Sequence, residues 1–219
     1  MKLSEKTISI LKNFSSINQS IHIKQGSRLR TISVMKNILA EVEVDEEFPK
    51  DFGIYDLIQF LAGLTLHSNP ELDFSHDSYV NIKDGSSQVK YFFCDPAVIV
   101  LPPEKELVLP SEDVHFVLNS DKLQKLLKAS AVYQLPDLAV IGENGVIKLV
   151  CRDKKNDTSN EYAIVVGQTD EEFSFNYKVE NIRIIPGSYE VTISKKLLSR
   201  FTNGNLTYYI ALEPDSTFN

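Results

Sequence analysis

Between Asp95 and Pro110 the chain carries four prolines in sixteen residues: Pro96, Pro102, Pro103 and Pro110. Proline locks φ and lacks an N–H, so this run cannot be a central strand or a helix interior. The residues between the prolines are largely apolar, Ile99, Val100, Leu101, Leu107, Val108 and Leu109 among them. The expected structure is an extended connector at about 95–110, dividing the 219 residues into halves 1–107 and 108–219. Each half is long enough to bury a core of its own.

The two halves share an order of elements. Ser4 is a good N-cap for a helix over 4–14, because Leu3, Thr7, Ile10, Leu11 and Phe14 recur on one face. A second helix is predicted over 120–133, capped by Asn119 or Ser120, with Leu123, Leu126, Leu127 and Ser130 facing inward. A third, Tyr55 to Leu66, is nearly all apolar and is expected to be buried. A fourth, Val179 to Ile184, is short and stops at Pro186-Gly187. Asp84-Gly85, Asn144-Gly145 and Asn203-Gly204 lie between β-type runs and predict hairpins, since Asn, Asp and Gly tolerate positive φ. Each half thus reads as a helix, three or four strands, a second helix, then more strands. The fold class is α+β: two similar domains of antiparallel sheet with helices on one face.

Motifs for chemistry are missing. Nothing fits GxxxxGK[ST] or a strand-following GxGxxG, and the nine glycines occur singly. His22, His67, His76 and His115 are not paired at helical spacing and neighbour no cysteine. Cys94 and Cys151 sit in apolar runs and read as reduced, buried thiols. The acids at 41–47 and 170–172 flank turns, where solvated charge is expected. No cofactor, metal or catalytic residue is expected, and the chain is not read as an enzyme. No apolar run approaches the roughly 20 residues of a membrane span, and no secretory signal opens the chain.

The net charge is −7, with a pI near 5.2. A protein coated by nucleic acid is usually basic, so binding over the whole surface is excluded, while a local basic patch is not. One candidate stands out. Lys122, Lys125 and Lys128 recur three apart, in one sector of the predicted 120–133 helix and opposite its leucines. Lys12 lies on the outward side of the first helix. Such a stripe is commonly just a solvated helix face; here it sits on an element that recurs in both halves of an otherwise acidic chain.

With these residues in view, the sequence resembles the sliding clamps of T4-like bacteriophages. The resemblance runs through Met1-Lys2-Leu3-Ser4, Leu11-Lys12-Asn13-Phe14, Ile54-Tyr55-Asp56-Leu57, the connector, Asp121 to Ser130, Phe173 to Asn176, Asn181 to Tyr189, and the C-terminal Ala211-Leu212-Glu213 with Asp215-Ser216-Thr217. It implies a homotrimeric ring of two-domain protomers with helices lining the hole. It also implies a set of partners: double-stranded DNA bound without sequence preference, the replicative DNA polymerase, an ATP-driven clamp loader, and a late-transcription sigma factor. The setting would be the host-cell cytoplasm, without a membrane.

Lys2, Lys12, Lys128 and Arg183 fall where that family is basic; Lys122 and Lys125 do not, and Ala131 replaces a basic residue. These six charged residues are the DNA-facing candidates. In clamps, partner peptides dock beneath the connector beside the C-terminal segment. The corresponding apolar candidates are Ile99, Val100, Leu101 and Pro102 with Ile210, Leu212 and Pro214. Two other readings remain open from the residues alone: a two-domain protein-interaction adaptor that does not encircle DNA, and an enzyme with a non-local site. Ring closure by edge strands pairing between protomers is expected, but the sequence does not name the strands.

Overall fold

The computed structural model describes all 219 residues, Met1–Asn219, and the chain forms two compact units, Met1–Lys105 and Glu106–Asn219.

Unit 1 opens with helix α1, Glu5–Ile17. The Ser4 hydroxyl accepts from the Thr7 N–H at 3.2 Å and caps it. Thr7, Ile10, Leu11, Phe14 and Ile17 are buried on one face. The helix runs one turn past the predicted Phe14 because Ile17 continues the same apolar stripe. Then come β1 (Ile21–Ile23), β2 (Gly26–Ile32), β3 (Ile38–Phe48), β4 (Phe52–Ile54), helix α2 (Leu57–Leu64), β5 (Glu71–Asp73), β6 (Tyr79–Asp84) and β7 (Ser87–Phe92). All pairings are antiparallel: β1 with β4, β2 with β3, and β5-β6-β7 as a three-stranded sheet with β7 at its end.

The buried face of α2 is Leu57, Phe60, Leu61 and Leu64. The expectation of a buried helix over 55–66 is corrected: the helix spans Leu57–Leu64, with Tyr55, Ile58 and Leu66 exposed, and only one stripe of it meets the core. After β7, Pro96–Val98 form a single 3-10 turn capped by Asp95, and the chain continues without regular structure to β8.

Unit 2 contains β8 (Val114–Leu118), α3 (Ser120–Tyr133), β9 (Asp137–Glu143), β10 (Val146–Arg152), β11 (Tyr162–Gln168), β12 (Phe173–Lys178), β13 (Tyr189–Ser194), β14 (Leu198–Asn203), β15 (Leu206–Ala211) and β16 (Thr217–Phe218). One antiparallel sheet runs β8-β13-β14-β15. The other runs β11-β10-β9-β12-β16, with β11 at one edge and the two-residue β16 at the other. Helix α3 packs on β10 and β11 through Leu123, Leu126, Ala129 and Ser130.

The predicted fourth helix is instead one 3-10 turn, Val179–Asn181. Beyond it Ile182 and Ile184 are buried and Arg183 is exposed, an alternation that suits extended chain rather than helix. All three predicted hairpins form. In the second, Asn144 and Gly145 both take positive φ, 51° and 80°, as a two-residue turn matched to strand twist requires.

Candidate nucleic-acid and partner surfaces

The basic candidates divide by surroundings. On α1, Lys12 projects from the face opposite Leu11 and Phe14 and is exposed, as is Lys2 just ahead of the helix. On α3, Lys125 and Lys128 are exposed, with no side-chain hydrogen bond or ion pair. Lys122 is half-buried, and its ammonium donates to the Val165 carbonyl on β11 at 2.8 Å. Arg183 is exposed beside the 3-10 turn of unit 2, its Nε donating to the Glu180 carbonyl at 2.9 Å. Lys2, Lys12, Lys125 and Lys128 are thus mobile point charges suited to phosphate attraction without base readout. Lys122 is held by its own domain. The outer face of α2 carries no charge; its exposed positions are Ile58, Gln59 and Ala62, and Tyr55 and Leu66 are exposed on either side of the helix.

The apolar candidates also divide. Ile99, Ile210 and Leu212 are buried, at 7%, 0% and 6% exposure, and belong to the core. Of the pocket candidates these three offer almost no exposed surface in this chain. Ile210 points inward on β15, and Leu212 is tied down by its N–H to the Leu197 carbonyl at 3.0 Å. Val100 is half-buried, Pro102 is half-buried, and Leu101 and Pro214 are exposed. The C-terminal segment is pinned along β12: the Glu213 N–H donates to the Asn176 carbonyl at 2.7 Å, and the Asn176 N–H donates to the Ser216 hydroxyl at 2.9 Å. The Phe218 ring then stacks on Phe173 and Phe175.

What lies beneath the connector within unit 1 is a cavity of about 530 Å³. Leu101 and Pro102 supply its apolar wall; the other residues that line it are polar or charged, with Lys24, Arg28 and Arg30 against Asp51 and Glu104. Sequence reasoning missed the two arginines. Their signal was the i, i+2 spacing on β2, which puts Arg28 and Arg30 on one face while Leu29 and Thr31 face the core. His22 also lines the cavity, and partial burial holds its pKa below the ordinary value despite the nearby Asp51 carboxylate.

No group of three or more His, Cys, Asp or Glu side chains converges, and no helix is long and apolar enough to cross a membrane. Burial pushes the Cys151 thiol up to about 12, and its Sγ–H points at the Leu126 carbonyl at 3.7 Å.

Two units, each with a long helix on antiparallel sheet, make up a clamp-type fold. The same fold is found in solved structures of PCNA from Entamoeba histolytica (TM-score 0.69, 12% identity, 94% of each chain covered) and Thermococcus kodakaraensis (TM-score 0.67, 15% identity, 95% and 96% covered). It is also found in a structure titled as the C-terminal region of FEN-1 bound to A. fulgidus PCNA (TM-score 0.68, 16% identity, 96% of each chain).

Residues 2–101 match the family described as DNA polymerase processivity factor, and residues 115–214 match the C-terminal domain of the gp45 sliding clamp. The chain is 36% identical over 220 residues to the sliding clamp of Vibrio phage KVP40, covering 97% of this chain and 99% of that one. It is 33% and 31% identical over 226 residues to the sliding clamps of Escherichia phage RB69 and Enterobacteria phage T4, in each case over 99% of both chains. The chain belongs to the phage sliding-clamp family, the DNA polymerase processivity factors.

Proposed function

We propose that this chain is one subunit of a homotrimeric ring that encloses double-stranded DNA in the host-cell cytoplasm and tethers the phage replicative polymerase. An ATP-driven loader would place it on DNA, and a late-transcription sigma factor would be a second client. The observation that carries the reading is the pairing of exposed, unpartnered lysines on α1 and α3 with a net charge of −7. Enclosure supplies retention; weak, salt-screened attraction from the lysines keeps the duplex centred, and tight base contacts would stop sliding. The acidic remainder discourages DNA from lying elsewhere on the protein.

Two sheet edges suit ring closure. Strand β7 ends one sheet and carries exposed Phe92; β11 ends another and carries exposed Val165. An unpaired edge is a template for strand addition. We assign closure to β7 of one protomer against β11 of the next. Partner segments dock at the connector around Leu101 and Pro102, which wall a cavity; that such proteins take partner segments is in keeping with a PCNA of the same fold solved with a C-terminal region of FEN-1 bound.

The decisive experiment measures mass in solution, then retention on nicked circular and linear DNA in the presence of loader and ATP. A trimer that stays on the circle and runs off the linear end supports the clamp. A monomer retained on neither favours a protein-interaction adaptor and ends the reading.

A further inference from the structure

From the edge of β11 we infer a DNA-responsive cap on the ring seam: the Lys122 ammonium holds the Val165 carbonyl that the next protomer's β7 would use, and a DNA phosphate that draws the ammonium away returns this carbonyl to the joint. The inference rests on the ring reading above, with closure by β7 against β11, and adds a link between what fills the hole and how firmly the ring shuts.

Strand register places the Val165 carbonyl on the open edge. The two-residue turn at Asn144-Gly145 makes Glu143 and Val146 a hydrogen-bonded pair. Bonding direction alternates along a strand, so Lys148 also turns its N–H and C=O toward β9 and away from β11. The Thr169 N–H, donating to the Gly145 carbonyl at 3.3 Å, sets the same phase on the other side of β10. Once the register has skipped Val166, Lys148 lies opposite Val165. Theirs is a non-hydrogen-bonded pair, and the N–H and C=O of Val165 point off the sheet, as do those of Ala163. Strand β7 obeys the same rule. Asp84 and Ser87 close its turn, and the Phe93 N–H donates to the Ser78 carbonyl at 2.9 Å. The backbone groups of Gln88, Lys90 and Phe92 therefore face outward.

Lys122 reaches this edge from α3, its ammonium 2.8 Å from the Val165 oxygen. An added strand would lie about 4.8 Å from β11 and would need that oxygen for one of its backbone bonds. A charged donor makes a stronger bond than a neutral N–H, so β7 does not displace the lysine unaided. A phosphate does, because there both partners are charged. Duplex has an approach, since Lys122 shares its sector of α3 with the exposed Lys125 and Lys128. The coupling is reciprocal: phosphate favours the released lysine and the released lysine favours closure, so duplex in the hole tightens the ring and an empty ring opens more readily.

The test follows full-length protein by sedimentation over a dilution series, with and without a short blunt duplex, and reads the concentration at which half the rings dissociate. Without DNA, Lys122→Met keeps the stem and removes the donor; it should lower that concentration at least about threefold, the effect of one backbone bond regained at each seam. Lys122→Arg keeps a donor and should stay with wild type. Lys196→Met removes an exposed charge elsewhere on unit 2 and should do the same. Duplex should then bring wild type toward Lys122→Met. Its gain for wild type should exceed its gain for Lys122→Met by more than it exceeds that for Lys125→Met, which forgoes a phosphate attraction and nothing at the seam.

A Lys122→Met ring that dissociates at the wild-type concentration or above it overturns the inference; equality is the result if the carbonyl accepts lysine and strand together. A fall shared by Lys196→Met also overturns it, since net charge then explains the change. Equal shortfalls for Lys122→Met and Lys125→Met on adding duplex remove the DNA response. A chain that stays monomeric at every concentration fails the ring reading itself, whereas a trimer indifferent to position 122 fails this inference alone.

Discussion

The backbone N–H of Ser4 donates to the carboxylate of Glu46, a residue 42 positions along the chain on β3. The same carboxylate accepts from the Thr7 hydroxyl, so one acid ties the first turn of α1 to the sheet. Burial pushes the Glu46 carboxyl up, but the bonds from Ser4 and Thr7 outweigh it and hold the pKa below its ordinary value. A folded pKa below the unfolded one gives stability that is fully present above about pH 4.5 and is lost as pH falls through the folded value. Glu46→Gln should therefore lower the urea midpoint at pH 7 by the equivalent of about 1 kcal/mol, a typical helix-cap loss. It should also flatten the stability profile below pH 4.5. An unchanged profile would remove Glu46 as the anchor.

Lys125→Glu with Lys128→Glu reverses two exposed charges on α3 without touching its buried stripe. The melting temperature should stay within about 4 °C, since two such surface changes together fall within about ±1 kcal/mol. Processive synthesis at low salt should fall several-fold, and wild type and variant should converge as salt rises. A processivity loss that is independent of salt would count against phosphate attraction.

Leu101 and Leu212 separate partner binding from folding. Leu101→Ala removes an exposed side chain and should shorten polymerase products without altering stability. Leu212→Ala empties a buried site, 6% exposed, and should cost 2–5 kcal/mol by denaturant titration. Product length is thus an informative readout for Leu101 alone.

Phe92→Asp or Val165→Asp places a charge on a proposed seam strand. Either should shift the sedimentation profile from trimer to monomer while leaving the circular dichroism spectrum intact. A ring that survives both substitutions puts the seam elsewhere.

Much of the fold could be read from local rules. Ser4 announces α1, and the Asn144-Gly145 turn fixes the β9–β10 register. What escaped depends on contacts between residues far apart in sequence. Arg30 meets Pro103 across 73 positions, and Lys122 meets Val165 across 43; neither spacing leaves a trace in a helical or strand period. Ile210 and Leu212 were named as pocket candidates because hydrophobicity alone does not say which apolar side chains near the C-terminus are covered. Tyr55, Ile58 and Leu66 failed in the opposite sense: an all-apolar run was read as a core helix, yet only one stripe of it meets other side chains.

The bond from Lys122 to the Val165 carbonyl joins the basic helix to an edge strand. A carbonyl held by a lysine is withdrawn from the row that a neighbouring strand would read, so the length of edge on offer is set partly by a residue on another element. In a genetic selection for weakened DNA retention, position 122 would then behave unlike 125 and 128. Its mutants would be rescued by second-site changes in β7 or β11 rather than by lower salt. Alleles that score alike for replication would thus sort into two suppression classes, one relieved by restoring a lost charge and the other by realigning a joint.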